Sequence, residues 1–213
     1  MPIDRDHAVR VAMRMLDEDG LEKLSLRRIA AELDVKAPAL YWHFANKRAL
    51  LDHLTDLMLA PALEELPLPE PADAWPQWLE RMALVVRDTL FAHRDGAQVA
   101  LGAGLGRATS LGLVIERSVE VLHGAGFDLA EASRIAGAFN AFLLGRAAEE
   151  QAMPKLGTVD LDAFATAYPL LAAGLAQRAA DGDTPEVAFR YAVGIMVAGI
   201  KALHAEGGAK GHS

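Results

Sequence analysis

Ser25-Leu26-Arg27-Arg28-Ile29-Ala30-Ala31-Glu32-Leu33-Asp34-Val35-Lys36-Ala37-Pro38-Ala39-Leu40-Tyr41-Trp42-His43-Phe44 reads as two short helices joined by a brief turn. Ser25 suits an N-cap, because its hydroxyl can accept from an amide of the first turn. Ile29, Ala30 and Leu33 follow at a spacing that turns them inward. Asp34-Val35-Lys36 is the turn, and Pro38 fits the start of the second helix, where an amide has no intrahelical partner. Two short helices with a tight connection, the second opening on small side chains, make the helix-turn-helix pattern.

Upstream, Ala8, Val11, Ala12, Met15 and Leu16 recur at helical spacing from Asp4 onward, and Asp17-Glu18-Asp19-Gly20 ends that helix with Gly20 as the C′ residue. Downstream, Asn46 caps a longer helix from Lys47 to about Leu63, and Pro61, Pro67, Pro69 and Pro71 break the chain. Further amphipathic segments cover residues 75–94, 106–123, 128–153, 161–180 and 185–205, parted by turns at Gly124-Ala125-Gly126, Met153-Pro154 and Asp181-Gly182-Asp183. No run alternates with period two. The expected fold is all-α, with a three-helix head at residues 1–46 and a larger helical domain at residues 47–213. The first helix of that domain, residues 47–63, links the two.

The 213 residues are 52% hydrophobic and 23% charged, enough apolar matter for a true core. Without cysteine there is no disulfide, thiolate metal site or thiol nucleophile. The start of the chain is polar, with no basic stretch leading into an apolar segment, so no secretory signal is expected. The longest apolar runs, such as Ile135 to Leu144, are interrupted, and none is expected to reach the roughly 20 residues of a membrane span. These features point to a soluble, cytoplasmic protein. The net charge of −8 is unevenly distributed. Up to Arg48 there are 9 basic and 8 acidic residues, and beyond it 12 against 21, so the head escapes the negative balance of the body.

Leu24-Ser25-Leu26-Arg27-Arg28-Ile29-Ala30, followed by Leu40-Tyr41-Trp42-His43-Phe44-Ala45-Asn46-Lys47-Arg48-Ala49-Leu50-Leu51-Asp52, resembles the head of the TetR family of transcriptional repressors. The likeness continues at His93-Arg94-Asp95-Gly96-Ala97 and, more weakly, from Gly145 to Gln151, which favours the tetracycline-repressor branch. The resemblance implies a homodimer that binds a palindromic operator in double-stranded DNA and is released by a small-molecule effector. An orphan repressor without an inducer is the alternative. No cofactor is expected.

The residues of the head support that reading by themselves. Ala37 and Ala39 are small enough for close approach to bases, where a methyl can meet a thymine methyl. Pro38 stiffens the helix start. Tyr41, His43 and Lys47 can reach phosphates, and Arg27 is suited to a bidentate guanine contact. By resemblance, Arg27, Ala37, Pro38 and Ala39 are base-facing and Lys47 is phosphate-facing. Leu40 and Trp42 are expected in the head core. Arg28 reads equally as a solvated charge or a contact, and His43 also admits a packed role.

Tetracycline repressors hold a drug–Mg²⁺ chelate with a histidine at the place that falls on Ala100 here. Further polar positions of that site correspond to Glu64, Met82, Val86, Ala103 and Gly104. Alanine and methionine supply no N or O donor, so no metal site is expected there. Glu149 and Glu150 match acidic positions of the branch but read also as a solvated helix turn. Met82, Val86, Ala100, Leu101 and Leu105 would suit a largely apolar effector.

Val193, Ile195, Met196, Val197 and Ile200 make the last helix apolar almost all round, and Ala132 to Leu144 is similar. Such helices are buried, either between two subunits or in the monomer core. Catalysis has little support. Gly102-Ala103-Gly104-Leu105-Gly106 is glycine-rich but follows no strand and precedes no Lys-Ser/Thr pair, and the 7 histidines are scattered. A carrier without DNA binding is a further rival, opposed by the head.

Overall fold

The computed structural model describes residues 4–153 and 160–210. Within those residues the chain is helical and contains no strand. Pro154, the second half of one expected turn, lies outside them.

Helix α1 (Arg5–Asp19) starts where the Asp4 carboxylate accepts from the Asp6 amide, and stops at Gly20, whose φ of 87° suits glycine. It buries Ala8, Val9, Ala12, Met13, Met15 and Leu16. Helix α2 (Leu26–Glu32) is capped by the Ser25 hydroxyl, 3.3 Å from the Arg28 amide. Helix α3 (Ala37–Tyr41) is a single turn or so with Pro38 at its start. Asn46 caps α4 (Lys47–Glu64), its side-chain oxygen 3.0 Å from the Ala49 amide. The starts of α2, α3 and α4 follow the side-chain chemistry read from the sequence, whereas the Asp4 cap of α1 is seen only in the structure.

The body consists of α5 (Trp75–Phe91), α6 (Gly96–Gly102), α7 (Thr109–Gly124), α8 (Leu129–Ala152), α9 (Leu161–Ala167), α10 (Pro169–Ala180) and α11 (Pro185–Lys210). Helices α4, α5, α6, α7, α8 and α11 pack on one continuous core that also reaches the head.

Five expectations need correction. Pro61 does not end α4, which runs to Glu64. Pro61 and Leu57 both face solvent, so water can satisfy the Leu57 carbonyl that proline leaves without its usual donor. The segment at 75–94 stops at Phe91, and α6 is a separate helix that amphipathic reading missed. Asp95 adopts left-handed geometry between them (φ 59°), and a Cβ on residue 96 would run into the Leu90 carbonyl, so this reversal requires Gly96. Helix α7 begins at Thr109, three residues later than its expected start. The segment at 161–180 is two helices. Tyr168 precedes a proline, which disfavours helical geometry there, and sits at φ −133°, ψ 63°.

The fifth correction concerns span length. Pro185–Glu206 is 22 residues with a mean hydropathy of 1.3, long and apolar enough by length and composition to cross a membrane. Counting uninterrupted apolar runs overlooked how few charges its Gly- and Ala-rich sequence carries. Its Phe189, Val193, Val197 and Ile200 are buried where the helix packs on α5 and α8, but only 22% of the stretch is buried. The opposite face exposes Val187, Tyr191, Ile195 and Leu203.

Candidate functional site

The head is held in shape by polar clasps as well as by its core. Arg28, left open in the sequence, bridges α1 to α2: its guanidinium reaches Asp19 at 2.5 Å and the Lys23 carbonyl at 2.9 Å. That hydrogen bond holds the Asp19 carboxyl below its usual range. Arg14 likewise meets Glu32 at 2.6 Å.

On the reading surface, Arg27, Pro38, Tyr41 and His43 are exposed, while Ala37 and Ala39 are half-buried. Ala37 packs partly on the core, which leaves less of its methyl for a base. His43 is not packed away. Trp42 corrects the sequence reading, because it is 89% exposed. Leu40 and Phe44, one turn apart, take the inward direction and are fully buried, so the residue midway between them points outward. Lys47 is half-buried, and its ammonium donates to the Leu21 carbonyl at 2.7 Å.

Leu21 is the hinge point between head and body. While its carbonyl accepts from Lys47, its amide donates to Asp95 Oδ2 at 2.8 Å. Beside it, the Arg94 amide donates to Asp17 at 3.1 Å, the Arg94 guanidinium to the Glu18 carbonyl at 2.8 Å, and His93 Nδ1 lies 3.1 Å from Asp17. The turn between α5 and α6 thus grips the end of α1. A second set of bonds grips α4. Asp52, buried, accepts from the Gly104 amide at 2.7 Å and pairs with Arg107 at 3.1 Å, and Asp56 accepts from the Ser110 amide at 2.7 Å. Neither set was found from the sequence; only the fold brings these separated groups together.

The expected effector residues fall into two groups. Met82, Val86, Ala100 and Ala103 are buried, the first three almost completely. Leu101, Leu105, Glu64 and Glu149 are exposed, and Gly104 is half-buried. The single apolar lining expected for Met82, Val86, Ala100, Leu101 and Leu105 is therefore not formed. Leu101 and Leu105 flank the turn after α6 and point to solvent while α5 and the rest of α6 close on each other. Two large spaces lie elsewhere: a groove of about 710 Å³ along α11 with Arg146, Arg178, Asp183, Val187 and Tyr191, and a cleft of about 640 Å³ beside the hinge with Lys23, Lys47, Arg94 and Gln98.

Glu149 and Glu150 part company. Glu149 is exposed beside Arg146, as a solvated turn would be. Glu150 is instead buried and paired through both oxygens with Arg87, whose guanidinium also lies 4.5 Å from the centre of the Phe91 ring. The Glu150 hydrogen bond raises the Arg87 pKa above its already high usual value. Among the described residues no three His, Asp or Glu side chains are grouped so that they could hold a metal ion.

Residues 8–54 match the family model described as bacterial regulatory proteins, tetR family, and residues 66–204 match that of the tetracyclin repressor-like C-terminal domain. The class C tetracycline repressor protein of Escherichia coli is 31% identical over 205 residues, 94% of this chain and 92% of its own. A TetR variant from Acinetobacter baumannii AYE, solved with minocycline, superposes with a TM-score of 0.75 at 30% identity, covering 95% of both chains. Apo ActR from Streptomyces coelicolor gives a TM-score of 0.77 at 27% identity, over 96% of this chain and 99% of that one. With both halves matched in order and nearly end to end, the chain belongs to the tetR family of bacterial regulatory proteins.

Proposed function

We propose that the protein is a homodimeric transcriptional repressor that binds a palindromic operator and is released by a largely apolar small molecule. The observation that carries this reading is the head. A capped α2 and a one-turn α3 present Arg27, Pro38, Tyr41, Trp42 and His43 to solvent, on a part of the chain spared the body's negative charge. Arg27 reads a guanine, Ala37, Pro38 and Ala39 lie against base edges, and Tyr41, His43 and Lys47 meet phosphates. The head ends at residue 46, with α4 as the link.

The two grips make release possible. An effector that enters the body near Met82, Val86 and Ala100 has to part α5 from α6, since those side chains are packed. Movement there displaces the Gly104 and Ser110 amides on which Asp52 and Asp56 of α4 rest, and α4 leads directly into the head. A ligand drives this only by preferring the displaced state, and tenfold weaker operator binding takes about 1.4 kcal/mol of such preference. A role as a regulator rather than an enzyme, in the cytoplasm where the operator lies, follows from the same reading.

Relatives set precedents for both partners: BioQ was solved with its double-stranded DNA operator and ActR with (S)-DNPA. Selection of random duplexes on the purified protein tests the proposal. An enriched palindrome with half-sites one helical turn apart, bound by two subunits and weakened steeply by salt, is expected. Enrichment of no sequence, or of a site bound by one subunit, would overturn it.

A further inference from the structure

Gln151 stands on the last turn of α8, yet among the described residues its side chain bonds to the turn that grips the head. Its side-chain oxygen accepts from the Ala97 amide at 2.9 Å. Its side-chain nitrogen donates to the His93 carbonyl at 3.0 Å and lies 3.5 Å from the Leu90 carbonyl. One amide thus holds the Leu90 carbonyl of α5, the His93 carbonyl of the turn and an early amide of α6, on either side of Asp95.

The neighbouring residue secures the same end of α8 in the body. Glu150 is clamped to Arg87 of α5, and Gln98 of α6 donates to the Ala148 carbonyl at 3.2 Å. The turn from His93 to Ala97 is therefore positioned from α8 rather than by its own residues alone. Any shift of α8 moves Asp95 and Arg94, and with them Leu21 and the end of α1.

We propose that Gln151 is a positioning residue that couples helix α8 to the reading head, setting the head's placement on the body without touching DNA or effector. This rests on the repressor reading above for its consequence at the operator, but not for its effect on the hinge. Helix α8 exposes Ala138, Ala141 and Gly145 on its outer side, so a second subunit resting there would fix α8, and Gln151 would pass that fixed position to the head.

Two variants of the full-length protein test it. Gln151→Leu keeps the bulk and loses every hydrogen bond; Gln151→Glu keeps the acceptor for Ala97 and loses both donor protons. Amide exchange over residues 17–24 reports the hinge directly, since local opening raises exchange only where contacts are lost. Gln151→Leu is expected to speed exchange there about tenfold while α7 stays as in the parent, with Gln151→Glu between the two. On duplexes selected with the parent protein, the same variant should also lose about tenfold of its discrimination between the preferred half-site spacing and one shifted by two base pairs. Parent-like exchange at 17–24 in both variants, or faster exchange spread evenly through the body, would overturn the proposal. If the parent selects no duplex, the repressor reading fails, and the exchange result still decides the role of Gln151.

Discussion

Arg87 on α5 and Glu150 on α8, 63 positions apart in sequence, form a two-pronged ion pair inside the body, with contacts at 3.2 and 2.5 Å. Both side chains are nearly removed from solvent. Such a pair is costly to desolvate and contributes little net stability over apolar residues of equal volume, but breaking it strands a buried charge. Phe189 of α11 also lies near the guanidinium, 5.3 Å from its ring centre, so the pair marks where three helices meet.

Arg87→Met is accordingly expected to destabilise the protein by about 3–5 kcal/mol, and Arg87→Met with Glu150→Leu to recover most of that loss. Chemical denaturation of the parent, the single and the double variant measures both. A double variant no better than the single would show that the charges, not their burial, hold the helices.

In the head, Arg27→Ala should cost about 1–3 kcal/mol on the selected operator and relax the choice of base at one position. Lys47→Ala should weaken specific and random DNA alike. Because Lys47 also holds the Leu21 carbonyl, its loss should speed amide exchange near Leu21, which a purely phosphate-binding lysine would not do. Titrations on operator and random duplexes separate the two residues; equal losses on both for Arg27→Ala would remove it from base reading.

The dimer face is tested at Ile195 on the exposed side of α11. Val197 is buried in its own subunit, so a charge there would damage the monomer, whereas Ile195 is 59% exposed. Ile195→Lys should leave the thermal signal of the helices in place and give monomers by light scattering, with operator binding reduced at least about tenfold because half-sites bind well only when joined. A full-strength dimer would move the interface off this face of α11.

Tetracycline is expected to bind weakly, and Mg²⁺ to bring no gain. Ala100 ends in a methyl group, Met82 and Val86 offer no oxygen or nitrogen, and Glu64 and Glu149 face solvent. Fluorescence titration with and without Mg²⁺ settles the matter, and micromolar, Mg²⁺-dependent release of operator would refute it.

Acid sensitivity should include the clasp between Asp19 and Arg28. The hydrogen bond from Arg28 lowers the Asp19 pKa in the folded state, so its stabilisation is complete above the unfolded carboxyl's range and fades as pH falls through the folded value. Asp19→Asn should therefore melt below the parent at neutral pH and converge with it in strong acid. Melting curves that stay equally far apart at every pH would discount the ionised pair.

The all-helical class, the helix-turn-helix and its caps were legible because each depends on neighbours in the chain. Ser25 and Asn46 cap amides three residues ahead, Gly20 takes a left-handed bend, and helical spacing places Leu40 in the core. The resemblance also marked His93 to Ala97 and, more weakly, Gly145 to Gln151, though not what they touch. Tertiary structure alone decided the rest. Trp42 points outward because Leu40 and Phe44, one turn apart, take the inward direction, and Glu150 turns inward where it meets Arg87 of another helix. The effector residues divide into packed and exposed because closure of α5 on α6 is a balance of contacts across the body. Helical periodicity tells which side of a helix is apolar; it carries no record of which distant side chain, or which second subunit, will cover that side.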